Sequence, residues 1–128
     1  VFITHSHLDH IAALPLLIDT VADRREGPVI VHATEATLEL LKSHVFNWAI
    51  WPDFSEIAIR ADAVMQYRTI EVGQQICLGG RTITAVPAVH TVPAVGYHLD
   101  SGAGSLVFTG DTTSNDDLWP LLNAVDKE

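Results

Sequence analysis

Four metal-binding side chains fall within the six residues His5-Ser6-His7-Leu8-Asp9-His10, directly after the apolar run Val1-Phe2-Ile3. Imidazole and carboxylate are donors that suit zinc or manganese. Burying such groups without a partner would cost several kcal/mol, so a histidine-rich surface loop, the ordinary alternative, accounts poorly for their place in an apolar passage. If residues 1–4 are extended, His5 and His7 share a face, because alternate strand residues point the same way. Those two rings would grip one ion. Asp9 and His10 follow on the turn into a helix and face a second position, so the spacing predicts two adjacent metals.

Two later residues extend the donor set. His90 lies just beyond a strand on a loop between Pro87 and Pro93, whose fixed backbone angles stiffen the path. A third imidazole is what His5 and His7 lack for a three-histidine metal face. Taken by itself His90 is an even choice; beside the first motif it is the best candidate, ahead of His98, which reads as a strand-face residue. The run Ser105-Leu106-Val107-Phe108-Thr109 ends in Gly110-Asp111-Thr112. Glycine permits close backbone approach, and a carboxylate there has two oxygens with which to bridge two ions. A turn or N-cap role for Asp111 is the alternative. His32 and His44 belong to no cluster and read as structural or exposed.

The elements that must position these groups alternate between strand and helix. After His10 the apolar residues Ile11, Leu14, Leu17, Ile18 and Val21 keep a helical spacing, which predicts one helix to about Arg25, with Pro15 in its first turn and Glu26-Gly27-Pro28 as its stop. Val29-Ile30-Val31 reads as a short buried strand. Thr34 is a plausible N-cap for a helix over residues 35–45 with Leu38, Leu41 and Val45 on one face. Residues 46–54 place four aromatics around an Asn and a Pro-Asp pair, either a cluster that holds a loop down or an apolar wall for a ring-bearing substrate. Strands are expected over 67–72, 75–78, 81–86, 95–99 and 105–109, with Gly79-Gly80 as a tight hairpin turn and the last of these strands buried. An amphipathic helix follows through Leu118, Leu121, Leu122 and Val125. This is α/β layering.

Composition limits the class. With 128 residues, 48% hydrophobic and 18% charged, the chain is one globular domain at most and is not disordered. No apolar passage approaches the roughly 20 residues that cross a bilayer. Cys77 has no intramolecular partner and reads as a small core residue. Seven Lys and Arg against sixteen Asp and Glu give a formal charge of −9, which argues against a long nucleic acid as main substrate. Beginning in mid-strand and ending without an evident final element, the chain reads as a piece of a longer enzyme, expected to be marginal, oligomeric or aggregation-prone when isolated.

The whole pattern resembles the metallo-β-lactamase superfamily, whose signature is His-x-His-x-Asp-His after a strand. The resemblance implies a partial αββα sandwich without its N-terminal strands and C-terminal part, formed by residues 1–128 as a single incomplete domain. It assigns His5, His7 and His90 to one metal, Asp9 and His10 to the other, and Asp111 to both as the bridging carboxylate. The last histidine of the second site normally follows further downstream, so that site lacks one ligand here. Four segments look most like the class II 3′,5′-cyclic-nucleotide phosphodiesterases. They are His5 through Ile11 with Ala13-Leu14-Pro15, Phe46-Asn47-Trp48 with Trp51-Pro52-Asp53, His90-Thr91-Val92-Pro93-Ala94-Val95-Gly96-Tyr97, and Thr109-Gly110-Asp111-Thr112. Ala13 departs from the glycine that relatives often carry.

That resemblance implies two divalent ions, zinc or else manganese, with Asp9 and Asp111 as catalytic residues. The implied reaction is hydrolysis of a cyclic nucleotide such as cyclic AMP to the 5′-monophosphate by attack of a metal-bound hydroxide. The transfer-RNA 3′-end processing endonucleases are the nearest rival, and a thiolester or lactone hydrolase is the third reading. The only adjacent basic pair is Arg24-Arg25, which favours a small-molecule substrate over nucleic acid. No membrane association is expected, a homo-oligomer is allowed, and the cytoplasm is the expected location, with a leader left open by the missing N-terminus.

Overall fold

The computed structural model describes residues 1–59 and 61–123. The chain divides into two compact units, Val1–Thr69 and Ile70–Glu128.

The first unit is built on parallel strands. β1 (Val29–Ala33) pairs with β4 (Met65–Thr69) in parallel, with Val31 opposite Tyr67. On the other side of β1, Phe2 bridges His32 in parallel, fixed by Ile3 N donating to His32 O and His32 N donating to Val1 O, each at 2.9 Å. The predicted opening strand is therefore present as a short edge. β1 is two residues longer than the expected one and alternates buried Val29, Val31 and Ala33 with half-buried Ile30 and His32, so His32 lies within it and not at its end. Between these strands come β2 (Ala58–Ile59) and β3 (Asp62–Ala63), a small antiparallel pair.

The single helix expected after His10 is broken. α1 (Leu8–Ile11) and α2 (Leu14–Val21) are separate, and the chain closes in a 3₁₀ turn, Ala22–Arg24. Pro15 is the cause: it has no N–H to give the carbonyl of Ile11, four residues back and the last of α1, and its ring crowds that carbonyl. Ile11, Leu14 and Ile18 are buried, whereas Leu17, expected on the apolar face, is 46% exposed at the margin of the stripe. α3 (Glu35–Leu40) starts where predicted, with Thr34 Oγ1 accepting from Thr37 N at 3.4 Å. It continues as a π-helical turn, Leu41–Val45, in which Phe46 N donates to Leu41 O. Ile18, Val31, Leu38, Leu41, Phe46 and Met65 form the fully buried centre of this unit.

The second unit is a four-stranded antiparallel meander, ordered β5 (Gln75–Leu78), β6 (Arg81–Pro87), β7 (Val95–Asp100) and β8 (Ser105–Phe108). Gly79 and Gly80 join β5 to β6 with φ of 59° and 74°, the left-handed pair that a two-residue hairpin demands. The inner strands carry the apolar burial, through Ile83, Ala85, Val86, Val95 and Tyr97. Three expectations change here. The strand expected over 67–72 ends at Thr69, and Val72 is exposed. Cys77 is exposed and not a core residue, since it sits on the outer strand β5. β8 is not buried: it is the outer strand at the other side, with Leu106 and Phe108 64% and 56% exposed. α4 (Leu118–Asn123) buries Leu118 and leaves Leu121 exposed; Val125 lies outside the described residues.

Among the described residues no helix is long and apolar enough to cross a membrane.

Candidate metal centre

In the first unit the edge pairing of residues 1–3 carries the chain inward, so that Thr4 is 5% and His5 0% exposed. A fully buried imidazole must be held, and Thr4 Oγ1 lies 3.1 Å from His5 Nδ1. With Nδ1 engaged, Nε2 is the nitrogen left for ligation, the usual division of labour in a metal-bound histidine. The rings of His7 and His10 close on His5, with centroids 4.8 Å and 4.1 Å away. The turn between them explains this. His7 is the extended N-cap residue of α1 and its side chain makes no capping hydrogen bond, while His10 N donates to His7 O at 3.0 Å. Residues three apart across a helical turn lie on one side, so His7 and His10 both come back to His5. Asp9 and His10 therefore lie inside a helix and not on the turn before it, as the sequence suggested. Asp9 stays exposed, with its Oδ2 3.5 Å from His10 Nε2.

In the second unit His90 sits on the loop between β6 and β7, and Asp111 follows β8. His90 Nε2 and Asp111 Oδ2 are 3.8 Å apart. The two loops are tied together by Val89 N donating to Thr112 Oγ1 at 3.0 Å, Thr113 N donating to Val89 O at 2.8 Å, and Asn115 Nδ2 donating to Pro87 O at 2.8 Å. In the sequence Thr112 figures only as part of the run ending in Gly110-Asp111-Thr112, and neither Thr113 nor Asn115 stands out; the available signal is the density of hydroxyl and amide side chains after Asp111. Burial holds the Tyr97 phenol of β7 far above its ordinary pKa, which keeps it protonated and excludes it as a general base near neutrality.

The donor chemistry suits a divalent ion: two imidazoles close on the buried His5 ring in the first unit, and an imidazole lies beside a carboxylate in the second. Residues 1–127 match the family model described as a beta-lactamase superfamily domain. The chain belongs to that superfamily. One superfamily relative, named "Probable 3′,5′-cyclic-nucleotide phosphodiesterase" from Yersinia pestis, is 27% identical over 119 residues, covering 90% of this chain and 33% of its own length. Ribonuclease Z of Bradyrhizobium diazoefficiens is 30% identical over 91 residues, or 70% of this chain and 28% of the relative. The chain thus spans about a third of the length of these curated relatives. Among solved structures, the metallo-β-lactamase fold protein YhfI from Bacillus subtilis superposes with a TM-score of 0.71 at 19% identity, over 94% of this chain and 44% of that one. The expected fold is thereby confirmed as part of the metallo-β-lactamase fold.

The other residues singled out from the sequence have ordinary settings in this superfamily member. His32 stacks on Phe2 with centroids 4.6 Å apart, His44 is exposed beside Ser43, and His98 lies on β7, half-buried. In residues 46–54, Phe46 and Phe54 belong to the core, their rings 6.0 Å apart. Trp48 and Ile50 are 59% and 69% exposed, on a turn held by Asn47 Oδ1 accepting from Ala49 N and Ile50 N. The segment is therefore an anchored loop with an exposed aromatic tip.

Proposed function

We propose that the chain carries the metal-binding portion of a phosphodiesterase that hydrolyses 3′,5′-cyclic nucleotides such as cyclic AMP to the 5′-monophosphate. What carries this reading is the donor set: His7 and His10 packed on the buried His5 ring, and His90 beside Asp111. In this proposal His5, His7 and His90 hold one divalent ion, Asp9 and His10 hold a second, and Asp111 serves both, with zinc the first choice and manganese the second. Such ions, when bound, supply an activated water and neutralise the charge that develops at phosphorus. Asp9, exposed next to His10, can also accept a hydrogen bond from the nucleophile and so orient it. Trp48, exposed on an anchored loop, offers an apolar face for a base.

The phosphodiesterase relative spans nine-tenths of this chain, and a net charge of −9 suits a small anion drawn to bound cations better than a long polyanion that needs a basic track. A ribonuclease Z relative at 30% identity supports the second reading, a transfer-RNA 3′-end endonuclease. The two are separated by offering the full-length, metal-loaded protein both cyclic AMP and a precursor transfer RNA under the same conditions. Release of 5′-AMP is expected. Removal of the 3′ trailer with no release of 5′-AMP would overturn the choice in favour of the nuclease.

A further inference from the structure

His90 and Asp111 lie on two loops that share no strand pairing, and prolines at 87 and 93 stiffen the first loop without setting its distance to the second. A small set of hydrogen bonds joins the two loops. Asn115, only 5% exposed, donates from Nδ2 to the carbonyl of Pro87 at 2.8 Å, bridging 28 positions of chain at the exit of β6. Thr112 Oγ1 accepts from Val89 N at 3.0 Å and donates to Thr113 O at 3.1 Å, so its hydroxyl is used in both directions. Val89 O in turn accepts from Thr113 N at 2.8 Å and Thr113 Oγ1 at 3.3 Å. The clamped residues are immediate chain neighbours of the two donors: Val89 precedes His90, and Thr112 follows Asp111.

We infer that Thr112 and Asn115 are positioning residues, whose side chains lock the His90 loop onto the Asp111 loop and set the separation of those two metal donors. The inference rests on the metal-site reading above. Each side chain bonds to the backbone of the loop that carries His90. Supporting contacts of this kind commonly govern about 10–100-fold in metal affinity. The Asn115 bond is the more sheltered from water, so its loss has the larger effect, while the Thr113 N to Val89 O bond survives either substitution and keeps the loops near one another.

The test is zinc affinity of the full-length protein, measured by competition with a chromophoric chelator, together with the visible spectrum of the cobalt(II)-substituted form. Asn115→Ala should weaken zinc about tenfold or more, and Thr112→Val about threefold to tenfold, both with altered cobalt absorption. Thr112→Ser keeps the hydroxyl and should stay within twofold of the wild type. Because Asn115→Ala removes a buried group, Ser101→Ala serves as the stability control: it deletes the Ser101 Oγ to Gly104 O bond at the far end of β7 and should leave zinc affinity unchanged even where the melting temperature falls. Equal affinities for Thr112→Val and Thr112→Ser, or a Ser101→Ala loss as large as that of Asn115→Ala, would overturn the inference. His90→Ala separates the two levels: if it too leaves zinc affinity intact, the metal-site reading fails with it, whereas a loss in His90→Ala alone refutes only the clamp.

Discussion

Gly96→Ala perturbs the strand that delivers Asp111 without altering any donor. Gly96 lies on β7 beside the end of β8, and a Cβ placed there would stand 2.9 Å from the Phe108 carbonyl oxygen, 3.0 Å from Val86 Cγ2 and 3.1 Å from Thr109 Cα. Comfortable contacts between such atoms begin near ~3.5 Å, so the neighbours must retreat by roughly half an ångström. Two of the three are backbone atoms, of the last residue of β8 and of the residue after it, and cannot rotate away. Overpacking of this kind costs about 1–3 kcal/mol, and ~2 kcal/mol changes the folded-to-unfolded ratio roughly 30-fold. The retreat moves Thr109, two residues before Asp111, so bound zinc should fall as well. The assay is urea unfolding of the full-length protein, with Gly104→Ala as the matched control. Gly104 has open space around it and no left-handed backbone, so alanine there should be neutral or stabilise by up to ~1 kcal/mol through the unfolded chain. Equal midpoints for the two variants would falsify the close approach of β7 to Thr109 and the reasoning built on it.

Three further outcomes are expected. Elemental analysis of the full-length protein should find less bound metal in His7→Ala and in Asp111→Ala but not in His44→Ala; an equal loss in all three would sink the donor assignment. Phe46→Ala should destabilise by about 3–5 kcal/mol, since Phe46 is fully buried, whereas Trp48→Ala, on the exposed tip, should change stability by no more than ~0.5 kcal/mol; the same urea titrations check the ranking. Burial, helped by the positive charge of Arg68, lowers the His32 pKa, so the unfolded chain binds that proton more readily than the folded one. Stability from this group is complete above the unfolded value of about 6.5 and is lost as pH falls through it towards the folded value. His32→Gln should therefore flatten the fall in unfolding midpoint between pH 7.5 and pH 5.5 (~2 pH units spanning that value), and an unchanged slope would refute the linkage.

The residues proposed as donors stand out in the sequence because their chemistry is local: imidazoles and carboxylates placed directly after apolar strands declare themselves by type and spacing. The Thr34 cap and the Gly79-Gly80 turn were legible for the same reason, since a capping hydroxyl and a left-handed glycine pair act within three or four residues. The proximity of His10 to His5 was not legible. It depends on α1 beginning at Leu8, one residue before Asp9, so that one helical turn brings His10 back over the buried ring. The break at Ala12 and Ala13 likewise needed the pull of the core on Ile11, Leu14 and Ile18 to show how the chain resolves a proline in a helical pattern. Apolar content alone could not tell outer strands from inner ones: Cys77, Leu106 and Phe108 are exposed because strand order in the sheet, a property of distant pairings, puts β5 and β8 outside. The tie between Asn115 and Pro87 is of the same kind. Its two ends are 28 residues apart, and no local preference encodes a bond that forms only after three strands have paired.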